Sequence, residues 1–167
     1  MPSNETKKIE SGPKQKGWLW PAVIAFILII AISGAIFMFF KSINQINYID
    51  AYIGSEQYKL ELADTEAKRV KGLSERNSLG DLHGMLFDFK QDGDWRMWMV
   101  QMRFAIDIIW LDADKKVIFI KTNAKPADFP ERYSAKQNSR YVIELNNGSV
   151  EQLGLKVGDK IDFSIPK

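Results

Sequence analysis

Between Trp18 and Phe40 the chain runs for 23 residues without a charge. Beyond it, hydrophobic positions come in short bursts broken by glycine, proline, asparagine and aspartate. The two patterns predict different structures. A hydrocarbon core of roughly 30 Å needs about 20 apolar residues in a helix, so residues 18–40 predict a transmembrane segment. Trp18 and Trp20 suit one membrane interface, and Lys41 can snorkel at the other. Pro21 falls in the first helical turn, where its missing N–H costs little. A cleaved signal peptide has a shorter apolar region ending in small residues. This run ends Phe37-Met38-Phe39-Phe40 and reads as an uncleaved anchor.

The remainder predicts strands. From Gln57 to Ala63 the positions alternate, with Tyr58, Leu60 and Leu62 on one side and Lys59 and Glu61 on the other. Asp64 or Thr65 can cap a short helix through Lys71, with Gly72 as its stop. Gly84 to Phe89 predicts a strand and Gln91 to Asp94 a turn. Trp95 to Phe104 is apolar on both faces and predicts an interior strand, or two short ones. Ile106 to Leu111 and Val117 to Lys121 flank a charged stretch and predict a hairpin. Residues 122–138 predict a long polar loop. Tyr141 to Leu145 predicts a strand ended by Asn146-Asn147-Gly148. Ser149 and Gln152 have capping-box spacing for one helical turn. Val157-Gly158-Asp159 predicts a turn into a last strand, Lys160 to Ile165. Seven or so short strands with little helix imply a mostly β fold, a compact sandwich or barrel after one transmembrane helix. The division is a basic tail (1–17), the helix (18–40), a linker with the first strand (41–54) and a β-rich domain (55–167).

Charge gives the helix an orientation. The whole chain carries 23 basic and 21 acidic side chains, and residues 1–40 hold four lysines and two glutamates of these. Residues 41–167 therefore carry 19 of each sign, and a nucleic-acid partner has no electrostatic support there. Lys7, Lys8, Lys14 and Lys16 precede the helix, while only Lys41 and Lys59 follow within the next 20 residues. The positive-inside rule then puts the N-terminus in the cytoplasm and the domain in the periplasm or outside the cell. The expected partners are the lipid bilayer, through residues 18–40, and an envelope ligand or protein. The chain has no cysteine, so disulfides and thiolate metal sites are excluded.

Three stretches together carry a resemblance. The first runs from Leu60 through Asp64, Arg69, Gly72 and Arg76 to Gly84-Met85-Leu86-Phe87. The second is Trp98-Met99 followed by Ile106-Asp107-Ile108-Ile109 and Leu111-Asp112. The third is Tyr141-Val142-Ile143-Glu144-Leu145-Asn146-Asn147-Gly148 followed by Gly154 and Gly158-Asp159. Over roughly residues 55–165 the chain resembles the bacterial and archaeal family called domain of unknown function 192. The resemblance implies a small jelly-roll-like β domain, often exported or membrane-anchored, with no established activity. It makes Gly72, Gly84, Met85, Phe87, Trp98, Met99, Gly158 and Asp159 structural signature positions. The chain departs from the family pattern at Ser74, at Val100-Gln101-Met102 and at Ala105.

Few residues rise as candidates for chemistry. His83, the only histidine, has no Gly-x-Ser-x-Gly elbow to serve and reads as a loop residue. Met85, Met97, Met99 and Met102 with His83 could supply soft donors to Cu(I), although methionine also fills cores. Asp92/Asp94 and Asp112/Asp114 read as turn aspartates. Asp107 and Glu144 differ, because each sits inside an apolar strand, where a carboxylate needs a partner or a raised pKa. Arg69, Arg76, Arg103 and Arg140 are candidate partners. Arg69, Arg76, Asp107 and Glu144 thus form either a polar site or structural ion pairs. The reading is a non-catalytic binding or accessory module of the cell envelope, with no cofactor. The alternatives are a hydrolase-like envelope enzyme using Asp107 and Glu144, and a Cu(I)-binding module.

Overall fold

The computed structural model describes residues 19–43 and 46–166, so the basic tail and Trp18 lie outside the described residues. Two compact units result, divided between Gln45 and Ile46. The first is a single helix, α1 (Leu19–Ile43). Its 25 residues extend about 37 Å, and Trp20–Met38 is long and apolar enough to cross a membrane.

The second unit is mostly sheet. Its elements are β1 (Tyr48–Ile53), β2 (Glu56–Ala63), α2 (Glu66–Lys71), β3 (His83–Gly93), β4 (Met97–Trp98), β5 (Ile106–Leu111), β6 (Val117–Ala124), β7 (Arg132–Tyr133), β8 (Ser139–Asn146), α3 (Ser149–Leu153) and β9 (Asp162–Phe163). Seven strands form one sheet in the order β6-β5-β8-β3-β2-β1-β9, while β4 and β7 pair separately. The large sheet is antiparallel except for β2 and β3, which run parallel through the α2 crossover. The sheet curls into a half-barrel, and its two edges meet at one corner. There Lys116 bridges Lys160, Val117 N–H donates to the Asp159 carbonyl, and Gly158 N–H donates to the Val117 carbonyl. Gly158 reaches that position with φ +100°, where a side chain would be strained.

Alternation along each strand sorts the core into two layers. All seven strands feed the first, which holds Leu60, Leu86, Ile109, Ile143 and Leu145. The second lies on the other face and holds Met85, Phe87, Ile108, Trp110 and Val142. All six residues of β5 are buried, because both faces of this strand are covered. Gly84 sits where β2, β3 and β8 crowd together. A Cβ there would lie 2.7 Å from the Glu144 carbonyl and 2.6 Å from a Leu145 methyl. This signature glycine is required by packing, not by a positive φ.

Several local expectations hold. Thr65 caps α2 by accepting from the Lys68 amide, and Gly72 ends it with φ +48°. Other expectations need correction. Residues 122–138 are not one long loop, because β6 runs on to Ala124 and Arg132–Tyr133 pairs as β7. Trp95 to Phe104 is not an interior strand, because only Met97–Trp98 pairs and a turn with Gln101 at φ +53° bends the chain away. The segment instead lays its methionines over the second core layer. Gln91 to Asp94 is not a turn: β3 continues to Gly93 through an irregularity at Asp88, whose carboxylate accepts from the Lys90 amide. Ser149 does not cap α3, since Gly148 holds the cap position with φ +88° and no side chain. The last strand shortens to Asp162–Phe163, with Lys160 bridging to Lys116 instead.

Candidate binding cleft over Glu144

Glu144 stands near the middle of β8, opposite Met85 of β3 and Ile108 of β5. Its neighbours Ile143 and Leu145 point into the first core layer, so alternation turns Glu144 to the second. Only 4% of the residue is exposed. Every fully enclosed side-chain oxygen or nitrogen among the described residues has a hydrogen-bond partner. No such bond is made to Glu144 among the described residues, so its carboxyl oxygens owe their residual exposure to the cleft they face. Burial pushes the carboxyl up to about 8, against a smaller opposing pull from the Arg76 charge. At neutral pH Glu144 is therefore mostly a protonated acid that can donate a hydrogen bond.

The cleft above it has a volume of about 390 Å³. Phe87 and Glu144 come from the sheet, Arg69 and Gly72 from α2 and its cap, and Met97 and Trp98 from the segment around β4. Phe89 and Trp95 also line it and stack with centroids 4.2 Å apart. Arg69 donates to the Asp88 carbonyl at 2.9 Å and lies 5.5 Å from the Phe89 centroid. Across the β4–β7 pair, Arg132 faces Trp98 in register and stands 4.5 Å from its ring.

The other predicted site residues fall elsewhere. Arg76 clamps Glu61 of β2 through two contacts of 2.8 Å, and those bonds hold the guanidinium firmly charged. Arg103 bonds Asn77 and Arg140 bonds Asp92, so neither meets Asp107 or Glu144. Asp107 is fully enclosed and faces the first core layer, opposite Leu145. It accepts from the Asn123 amide at 2.9 Å and the Val150 amide at 3.0 Å. Asp107 and Glu144 thus lie on opposite faces of one sheet, and the cleft contains only Glu144. Met85, Met97, Met99 and Met102 join one buried cluster. His83 is outside that cluster and is not a loop residue. It opens β3 half-buried, with Nδ1 2.7 Å from the Asp81 carbonyl and its ring against Tyr48. Asp112 accepts from the Asp114 and Lys116 amides, as a turn aspartate does. Asp159 accepts from the Lys156 amide, which fixes the turn beside Gly158.

Arg132 and Phe89 were not legible as wall residues. Arg132 sits in a polar stretch, and only the pairing of two short strands brings it to Trp98.

Comparison with known proteins places this architecture. A crystal structure from Sinorhizobium meliloti 1021, of a protein provisionally named a transcription regulator, superposes with a TM-score of 0.67 at 28% identity, covering 71% of this chain and 95% of that one. A protein of unknown function from Novosphingobium aromaticivorans DSM 12444 gives a TM-score of 0.63 at 34% identity, covering 71% of this chain and 85% of that one. A UPF0127 protein of Thermococcus gammatolerans is 32% identical over 108 residues, 64% of this chain and 67% of its own length. One from Thermococcus kodakarensis is 31% identical over 108 residues, 64% of this chain and 65% of its own. The DUF192 family, described as "Uncharacterized ACR", matches residues 49–163, and the chain belongs to that family.

Proposed function

We propose that this protein is a membrane-anchored binding module of the cell envelope, with the cleft over Glu144 as its ligand site. Glu144 carries this reading: it is an almost wholly buried acid without a hydrogen-bond partner among the described residues, at the floor of an apolar cleft. Burying a polar group without a partner costs about 1–3 kcal/mol by mutational scales, and an apolar residue would avoid that cost. A cleft of about 390 Å³ is within the range of small-molecule sites. Binding is favoured over hydrolysis because the two carboxylates a hydrolase would pair are on opposite faces of the sheet. A thermal-shift screen of the full chain against a varied metabolite collection tests the site. Ligands should raise the melting temperature of the native protein but not of Val100→Trp, which crowds the cleft. Ligands that shift both proteins equally would move the site elsewhere.

The anchor is α1, and the four lysines before it favour a cytoplasmic N-terminus. Residues 46–166 then stand on the periplasmic or extracellular side, where an uncharged balance and a cysteine-free core are compatible with either. A protease confined to the outside of intact cells, or of spheroplasts where an outer membrane exists, should digest this domain. A domain that stays whole under conditions that digest a known external protein would refute the orientation.

A further inference from the structure

The rim of the cleft is basic and its walls are flat rings. Arg69, Arg96 and Arg132 all line it, and Glu66 is the only lining acid besides Glu144. Arg96 is neutralised by Asp94 at 3.2 Å. Arg69 and Arg132 form no ion pair among the described residues and instead sit beside the rings of Phe89 and Trp98. Phe89 and Trp95 stack face to face within 7° of parallel, so one wall is built of rigid flat rings. A ligand cation at this rim would meet like charge. An anion would meet two guanidiniums, each able to donate in a planar fork. Deeper in, the buried Glu144 carboxyl offers a hydrogen bond to an uncharged group.

Resting on the reading of the cleft as a ligand site, we propose that it takes a small amphipathic anion. The ligand has a planar apolar body, a carboxylate or similar group held by Arg69 and Arg132, and an uncharged hydroxyl or carbonyl at Glu144. Soluble aromatic acids and lipid-derived fatty acids share the amphipathic-anion chemistry. The stacked wall favours the planar kind.

Calorimetric titration of the full chain in nanodiscs of zwitterionic lipid, with empty nanodiscs subtracted, tests this at neutral pH. The probes are 6-hydroxy-2-naphthoate, 2-naphthol and decanoate. The hydroxynaphthoate should bind saturably and about tenfold more tightly than either of the others. Arg132→Gln should weaken it about fivefold and leave 2-naphthol unchanged. Glu144→Gln, which can still hydrogen-bond, should stay within about threefold of the parent, whereas Glu144→Leu should lose about tenfold or more. Equal binding of 2-naphthol would overturn the anion, and tighter binding of decanoate would overturn the planar body. Equal losses in Glu144→Gln and Glu144→Leu would overturn the neutral acid as the partner and indicate an ionised carboxylate accepting from the probe's hydroxyl. Each of these three results leaves the cleft standing as a ligand site. Binding of none of the probes would overturn the ligand class, and the metabolite screen with Val100→Trp then decides separately whether the cleft binds ligands at all.

Discussion

Replacing Glu144 by glutamine should make the folded domain more stable at pH 9 and leave it almost unchanged at pH 4. The carboxyl is pushed from 4.5 to about 8 by burial. A group whose folded pKa lies above its unfolded value holds more protons when folded. Its favourable contribution is fully present below about pH 4.5 and is lost as pH rises through about 8. Each unit corresponds to about 1.4 kcal/mol, so the ceiling on the loss is on the order of 5 kcal/mol. Water entering the cleft reduces that figure, and a gain of roughly 2–4 kcal/mol for the glutamine variant at pH 9 is expected. The charges near Glu144 do not reverse the sign. Glu61, two strands away, is already clamped by Arg76, whose own pull on Glu144 is smaller than the effect of burial. Other shifted groups act elsewhere on the pH scale. Asp64 is held low by its hydrogen bond from Lys68, and Asp128 by its bond from the Tyr133 hydroxyl. Both lose their contributions as pH falls below about 4, where the variant and the parent should decline together. Denaturant unfolding of the full chain in detergent, followed by tryptophan fluorescence from pH 4 to pH 9, measures this. If the parent shows no decline between pH 5 and pH 8, or the variant repeats it, Glu144 is not a buried neutral acid.

The same residue shows how far a sequence can carry such an argument. Glu144 stands out as polar inside Val142-Ile143-Glu144-Leu145, and so does Asp107 inside Ile106-Asp107-Ile108. Which face each takes depends on pairing register. In the observed register Asp107 meets Leu145 and Glu144 meets Ile108, which sends the two acids to opposite layers. A slip by one residue would put them on the same face, and alternation within either strand says nothing about that choice. Signals confined to a few residues were legible. Trp18 to Phe40 needs only its length, and α2 needs only Thr65 and Gly72. The methionine and tryptophan segment around β4 has no clear period, since apolar side chains fall on both faces between Arg96, Gln101 and Arg103. Its path is set by contacts with the sheet and with β7, more than 30 residues away in sequence. The cleft is built where that segment, α2 and β8 meet, so its walls became visible only with the tertiary structure.

Asp107→Ala should cost the domain about 3–4 kcal/mol, for reasons separate from any ligand. The side chain is fully enclosed on β5 and serves two other elements at once. One oxygen accepts from Asn123 of β6, and the other accepts from Val150 in the first turn of α3. The cap position of α3 is Gly148, which has no side chain to satisfy the exposed amides there. Asp107 supplies from a neighbouring strand what a capping serine or aspartate supplies locally, and its charge also suits the positive end of the turn. Alanine leaves the buried Val150 amide and the part-buried Asn123 amide without this acceptor and opens a void beside Leu145. Asparagine keeps the shape but turns one acceptor into a donor facing an N–H, so Asp107→Asn should cost about 2 kcal/mol. Glu151→Ala, on the exposed side of the same turn, removes a charge but no buried bond and should stay within about 0.5 kcal/mol. Unfolding curves rank the three variants. Amide hydrogen exchange separates this mechanism from general core loss, because protection should fall first at Asn123 and Val150. A loss below about 1 kcal/mol in Asp107→Ala would mean that α3 does not depend on this carboxylate for its start.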